Sequence, residues 1–277
     1  MNYHRWSSLL RGYDISLRYN QLILALSAAG AMAGYFISGQ EPWSRLFAAV
    51  VAGGIVFMAG ALAKELDPDR PWAAVLAAVL TLPFVTTFTF DGAVALFWLI
   101  GGTRFLNRST GLRPKATDLL ALLAVSAWLG WQVTPLFGIL ISMMLILDSL
   151  LPDGQRKHAL LGLVIAVVTG VWLTQSDPIA ISPDLWAVVG LLVITIGFIP
   201  VILSAYHSTA IGDATGIRLH PLRVQAGQVF ALSAGLFIAS WRSESGILLL
   251  IGLWAALVAS LIYYLLSTRM QRSTATS

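Results

Sequence analysis

"FAAVVAGGIVFMAGALAKELDPDRPWAAVLAAVLTLPFVTTF", residues 47–88, sets two apolar runs on either side of a short charged cluster, Lys64, Glu65, Asp67, Asp69 and Arg70, punctuated by Pro68 and Pro71. Each run approaches the ~20 residues a helix needs to cross a hydrocarbon core of roughly 30 Å. The cluster between them then reads as a loop at the bilayer surface. Extended along the chain, the same alternation marks apolar stretches near 20–38, 43–63, 71–90, 91–106, 117–134, 135–151, 157–174, 184–206, 222–241 and 245–267.

Composition agrees with this reading. The chain is 57% hydrophobic and 11% charged with a mean hydropathy of +0.80, whereas charged residues make up about a quarter of an ordinary soluble domain. A soluble core of 277 residues cannot hide that much apolar surface, so lipid is expected to cover it. The expected fold is all-α: a polytopic transmembrane helical bundle of about ten spans, forming a single integral membrane domain over residues 1–277. Some spans are short or abut, at Phe90 and Asp91 and again at Pro135. Glycine pairs at 53–54 and 101–102, with Pro83 and Pro200, are candidate helix breaks.

Charge sets the expected orientation. Fifteen of the 17 Lys and Arg residues fall in alternate gaps, while only Arg45 and Arg242 fall in the others. The positive-inside rule therefore predicts both termini in the cytoplasm of a bacterial or archaeal cell. The basic start runs into a full-length span without a small-residue cleavage site, so the first span is expected to be kept as an anchor. The net charge of +4 reflects these inner loops and does not point to nucleic acid. With no cysteine, disulfide and thiolate chemistry are excluded. Trp43, Trp72, Trp186 and Trp241 stand at span ends, where an amphipathic ring favours the headgroup layer.

Two segments after the fourth and eighth spans are alike, "STGLRPKATDLLALLAVSA" and "ATGIRLHPLRVQAGQVFALSA". A fainter echo links "DPDRPWAAVLAAVL" with "LPDGQRKHALLGLV". Both pairings step by four spans in one orientation, which suggests parallel repeats over 43–134 and 135–241.

The inner loops hold nearly every residue capable of chemistry, and the span interiors almost none. Transporters coupled to protons or sodium usually carry an ionisable group near the midplane. Glu65, Asp67 and Asp69 at the end of the second span, with Asp148 and Asp153 at the end of the sixth, form two acidic groups able to hold Mg2+ with a diphosphate as co-ligand. Arg70, Arg104, Arg108, Arg156 and Lys157 are placed to neutralise the same phosphates. An equally simple reading makes these residues a solvated rim, since Asp-Pro-Asp is a common turn. His207 and His220 fit no zinc spacing, and Gly212 and Gly216 form no phosphate loop. The Asn107 glycosylation pattern falls on the predicted inner side.

These placements resemble the UbiA superfamily of intramembrane prenyltransferases. "MAGALAKELDPDRP" is similar to the family's first motif region, with Lys64 and Glu65 where its Asn and Asp stand, followed by Asp67, Asp69, Arg70 and Pro71. "DSLLPDGQRKH" is similar in placement to the second motif, with Asp148 and Asp153 as its carboxylates. The resemblance implies two four-helix bundles and Mg2+ at Asp67, Asp69, Asp148 and Asp153. It further implies a prenyl diphosphate met by Arg70, Arg104 and Arg156, with the prenyl chain among membrane lipid. Departures from the family are the missing Asn-Asp pair, a shortened first motif and ten spans in place of nine. The alternatives are a transporter or exporter of a small or amphipathic solute, and a non-catalytic membrane subunit.

Overall fold

The computed structural model describes residues 7–39, 41–175 and 184–275, with side chains as far as Met270. Arg5 lies outside the described residues, as does the side chain of Arg272. Among the described residues ten α-helices follow one another: α1 Arg18–Ile37, α2 Pro42–Leu66, α3 Ala73–Thr81, α4 Phe90–Asn107, α5 Ala116–Gln132, α6 Leu136–Leu150, α7 Arg156–Thr174, α8 Leu185–Ser204, α9 Pro221–Leu249 and α10 Ile251–Ala275. Among the described residues there is no strand, only one antiparallel bridge between Ile211 and Arg218. Six of these helices, α1, α2 and α7 to α10, are long and apolar enough to cross a membrane among the described residues. That makes this a helical protein of the integral membrane class. The other four are shorter or, for α4, carry Asp91 and Arg104 within 18 residues.

Two differences from the sequence-based boundaries have local causes. The third apolar stretch is not one helix, because α3 gives way to a 3-10 segment at Leu82–Thr87. Pro83 lacks the N–H an α-turn needs, and its ring crowds the carbonyl four residues back. Pro200, by contrast, stays inside α8. The gap expected near 242–244 is a kink within α9, where Ser243 adopts φ 53°. The chain turns instead at Leu250, and α10 begins one residue later.

The expected glycine breaks are also absent from α2 and α4, because these residues serve contact. A Cβ on Gly102 would stand 2.7 Å from the Phe230 ring, and one on Gly101 would stand 2.8 Å from Leu122. Phe230 thereby reaches Trp98, whose ring lies 5.6 Å from it and 5.3 Å from Phe137. The indole N–H of Trp98 donates to Ser126 Oγ at 2.6 Å, which satisfies its polar atom in an apolar centre. This centre is built mainly from α2, α4, α6, α9 and α10. On its flank α1 packs along α2 through Gly30 and Gly34, at which a Cβ would approach Val56 Cγ2 to 2.8 Å and Ala48 O to 2.7 Å. Small residues four apart let helix backbones close in where lipid gives no hydrophobic drive to association. α7 and α8 turn Leu163, Val167, Leu192 and Ile196 outward, as lipid-facing helices do.

Helix ends sort into two layers. The residue 7–14 segment, the turn after α2, the loops after α4, α6 and α8, and the end of α10 touch one another at one end. At the other end Arg242 donates to Val133 O at the close of α5, placing a cation at a helix C-terminus. Arg45 lies there too, 6.0 Å from the Tyr35 ring. The sequence-derived sidedness therefore has a direct test in a chain without native cysteine. Lys157→Cys should react with an impermeant maleimide only from the cytoplasmic side, and Ser44→Cys only from the other. Labelling of both from one side would overturn the expected orientation.

Candidate functional site at the charged end

Glu65 is the centre of the charged layer, although it is the penultimate residue of an apolar helix. Its Oε1 accepts from Arg11 at 2.8 Å and from Arg104 Nε at 2.9 Å, and the residue is 1% exposed. Its backbone carbonyl accepts from Asn107 Nδ2 at 2.8 Å. Two guanidinium groups offset the desolvation of one carboxylate. Oε2 makes no hydrogen bond, and neither does the buried Ser109 hydroxyl that approaches the same carboxylate. Arg11 also pairs with Asp213, which draws the loop after α8 over the N-terminal segment.

That segment is held from the far side by Asp118. Its carboxylate accepts from Ser7, from the backbone and hydroxyl of Ser8, and from the Lys115 N–H at the start of α5. Thr110 Oγ1 donates to Ser8 O at 2.8 Å, and Arg104 to Leu9 O at 3.1 Å. Between this strap, α1, α2 and residues 211–216 lies a cavity of about 730 Å3. Arg11, Lys64, Glu65 and Arg104 line one part of it; Leu17, Ile23, Phe57 and Ala61 line another. Lys64 donates to Asn20 Oδ1 at 3.2 Å and lies 5.0 Å from the Tyr19 ring. Its direct partners are thus neutral.

The four expected metal ligands occupy separate settings. Asp67 caps α2 and meets Arg70 at 2.9 Å, while Arg70 reaches on to Ser267 Oγ at 2.9 Å and the Tyr264 ring at 5.0 Å. Burial pushes the Asp67 carboxyl up to about 6, against the opposing pull of Arg70. Asp69 accepts from the N–H and hydroxyl of Thr209. Asp148 is fully buried and accepts from Arg223 at 3.0 Å, with His158 Nδ1 at 2.8 Å and Arg108 at 3.7 Å. Asp153 sits at φ 59° in the turn after α6, its side chain exposed and 3.5 Å from Arg113.

Asp67, Asp69 and Asp148 each accept hydrogen bonds from their own protein donors, whereas Asp153 is exposed beside Arg113. Among the described residues, no three His, Asp or Glu side chains gather into a metal-ligand set. Of the expected phosphate contacts, Arg104 lines the large cavity, Arg70 is turned towards α10, and Arg156 is exposed. Arg11 and Arg223 are central in the structure, yet sequence spacing marks them only as rim charges, whereas Glu65 stands in the acidic group that the sequence singles out. The signal nearest to them was the likeness between the loops after the fourth and eighth stretches. These loops lie against each other, with Asp213 N–H donating to Ser109 O and Ala214 N–H to Thr110 O. Gly111 and Gly216 both take positive φ, 81° and 66°.

No protein-family model, curated protein or solved structure matches this chain.

Proposed function

We propose that this integral membrane protein takes the phosphorylated head of an isoprenyl chain into the cavity beside Lys64. We further propose that it transfers the chain from an isoprenyl diphosphate to a lipophilic acceptor at the cytoplasmic face. The observation that carries the reading is the amphipathic wall of the 730 Å3 cavity, which sets Lys64 beside the paired charges of Arg11, Arg104, Glu65 and Asp213, with Asp14 near the rim, and is apolar at Leu17, Ile23, Phe57 and Ala61. Pockets that combine apolar walls with a few convergent polar groups bind small molecules, and this one lies where helix ends meet the charged layer. Lys64, with neutral partners, is the charge most available to a phosphate. Arg11 and Arg104 share their charge with Glu65 and supply positioning.

In the transfer, the allylic C–O bond breaks and diphosphate leaves with the electron pair. The acceptor forms its bond to the carbon released, and its proton passes to water. The Mg2+ expected from the acidic loops enters through the test and is assigned no step.

Binding of farnesyl diphosphate to the protein in nanodiscs, with Mg2+ and again with chelator, tests the reading. Saturable binding weakened about tenfold or more by Lys64→Gln (~1.4 kcal/mol) is expected, with release of diphosphate when a lipophilic phenol is added. No binding in either condition would sink it. Movement of the intact molecule across the bilayer without bond cleavage would replace transfer by transport. A stoichiometric protein partner, with neither binding nor flux, would make the chain a non-catalytic subunit.

A further inference from the structure

A second pocket lies on the other side of the loop that closes the large cavity. Residues 211–216 line the large cavity, whereas Ile217, Arg218, Leu219 and His220 line a space of about 130 Å3 with Arg108, Pro152, Asp153 and Arg223. That is room for several waters or one tetrahedral oxyanion. Three guanidinium groups and an imidazole face it, against a single lining carboxylate, Asp153, whose side chain is exposed towards Arg113.

The cations differ in how far the protein already uses them. Arg223 is committed, donating to Asp148, Leu106 O and Pro152 O. Arg108 is 8% exposed and gives one nitrogen to Asp153 O at 2.9 Å, but its buried Nε has no hydrogen-bond partner. Leaving a buried cationic donor unmade is costly. Arg218 spends Nε on Ser208 O at 2.8 Å and pairs with no carboxylate among the described residues. His220 begins α9 without a side-chain cap, so the positive end of a 29-residue helix adds to the same field.

We infer that this pocket is an anion site for a phosphate group, separate from the Lys64 cavity, with Arg108 and Arg218 as its contacts and Arg223 as a fixed background charge. The phosphate belongs either to a free phosphorylated molecule or to an anionic lipid headgroup.

Titration calorimetry on the full chain, in zwitterionic nanodiscs with inorganic phosphate and then diphosphate, is the first arm. The second compares thermal stability in nanodiscs with and without phosphatidylglycerol. Arg218→Gln changes an exposed residue and leaves the buried ion cluster intact, so it isolates the site. The inference expects saturable binding, or lipid-dependent stabilisation, that falls about tenfold in Arg218→Gln and persists in Lys64→Gln. A response only in the first arm assigns the site to free phosphates; a response only in the second assigns it to lipid. The inference is overturned by no response in either arm, or by a response in the Lys64→Gln background that survives the addition of Arg218→Gln. Loss in Lys64→Gln alone would also overturn it, by moving the anion to the larger cavity without harming the functional reading.

Discussion

Arg223→Met should destabilise the protein by about 3–5 kcal/mol, the cost of leaving a buried charge without its partner. Arg223 is 3% exposed and Asp148 is wholly buried, and they meet at 3.0 Å. The same guanidinium ties Leu106 O at the end of α4 to Pro152 O in the turn after α6. Its removal strands one carboxylate and two carbonyl groups at once. His158 and Arg108 remain near Asp148, which keeps the effect within this range. Unfolding in mixed micelles, followed by tryptophan fluorescence, measures it. Asp148→Asn with Arg223→Met should cost less than the two single changes added, because each single change already breaks the pair. A loss below about 1 kcal/mol for Arg223→Met would show that the cluster is solvated in the membrane-bound protein. Arg156→Ala, at an exposed position, should fall within ±0.5 kcal/mol as a surface change.

Gly34→Leu is expected to separate α1 from α2. A single Cβ at this position would already stand 2.7 Å from both Ala48 O and Ala52 Cβ, and a backbone oxygen in a regular helix has no room to withdraw. Overpacking of this kind costs about 1–3 kcal/mol and often more. Because α1 contributes Tyr19, Asn20 and Ile23 to the wall or rim of the large cavity, its displacement should also weaken farnesyl diphosphate binding. Gly170 in α7 provides the contrast, since a Cβ there meets nothing within 4 Å. Gly170→Leu should leave the unfolding midpoint nearly unchanged. Equal losses for the two would show that the α1–α2 contact does not set the cost, since leucine is the better helix former at both positions.

The glycines illustrate what the sequence left open. Gly101 and Gly102 look like a break inside an apolar run, since glycine weakens a helix wherever it stands. Whether it breaks the helix or admits a neighbour depends on what arrives from elsewhere in the chain, here Leu122 and Phe230. Pro83 and Pro200 are a similar pair: one ends α3 and the other is carried within α8. Local composition does not distinguish them.

The acidic positions make the same point for the site. Asp67, Asp69, Asp148 and Asp153 are equivalent as rim carboxylates in sequence, yet Asp148 is sealed by Arg223 from 75 residues away while Asp153 faces solvent. Glu65 looked like part of a solvated cluster and is instead buried between Arg11 and Arg104. A charge's partner is set by which helix ends converge, and that is a property of the packed bundle.

By itself the sequence determined the helical, membrane-embedded class, the position of most helices and the gathering of cations into alternate gaps. These follow from apolar run length and local charge, because a helix in lipid must satisfy its backbone hydrogen bonds within its own segment. The tertiary structure alone decided which charges neutralise one another, that α9 kinks at Ser243 and turns at Leu250, and that the loops after α4 and α8 meet. It alone formed a phosphate-sized pocket and an amphipathic cavity on opposite sides of one loop. Those features depend on contacts between distant segments, and no local pattern of hydrophobicity or charge encodes which segments will touch.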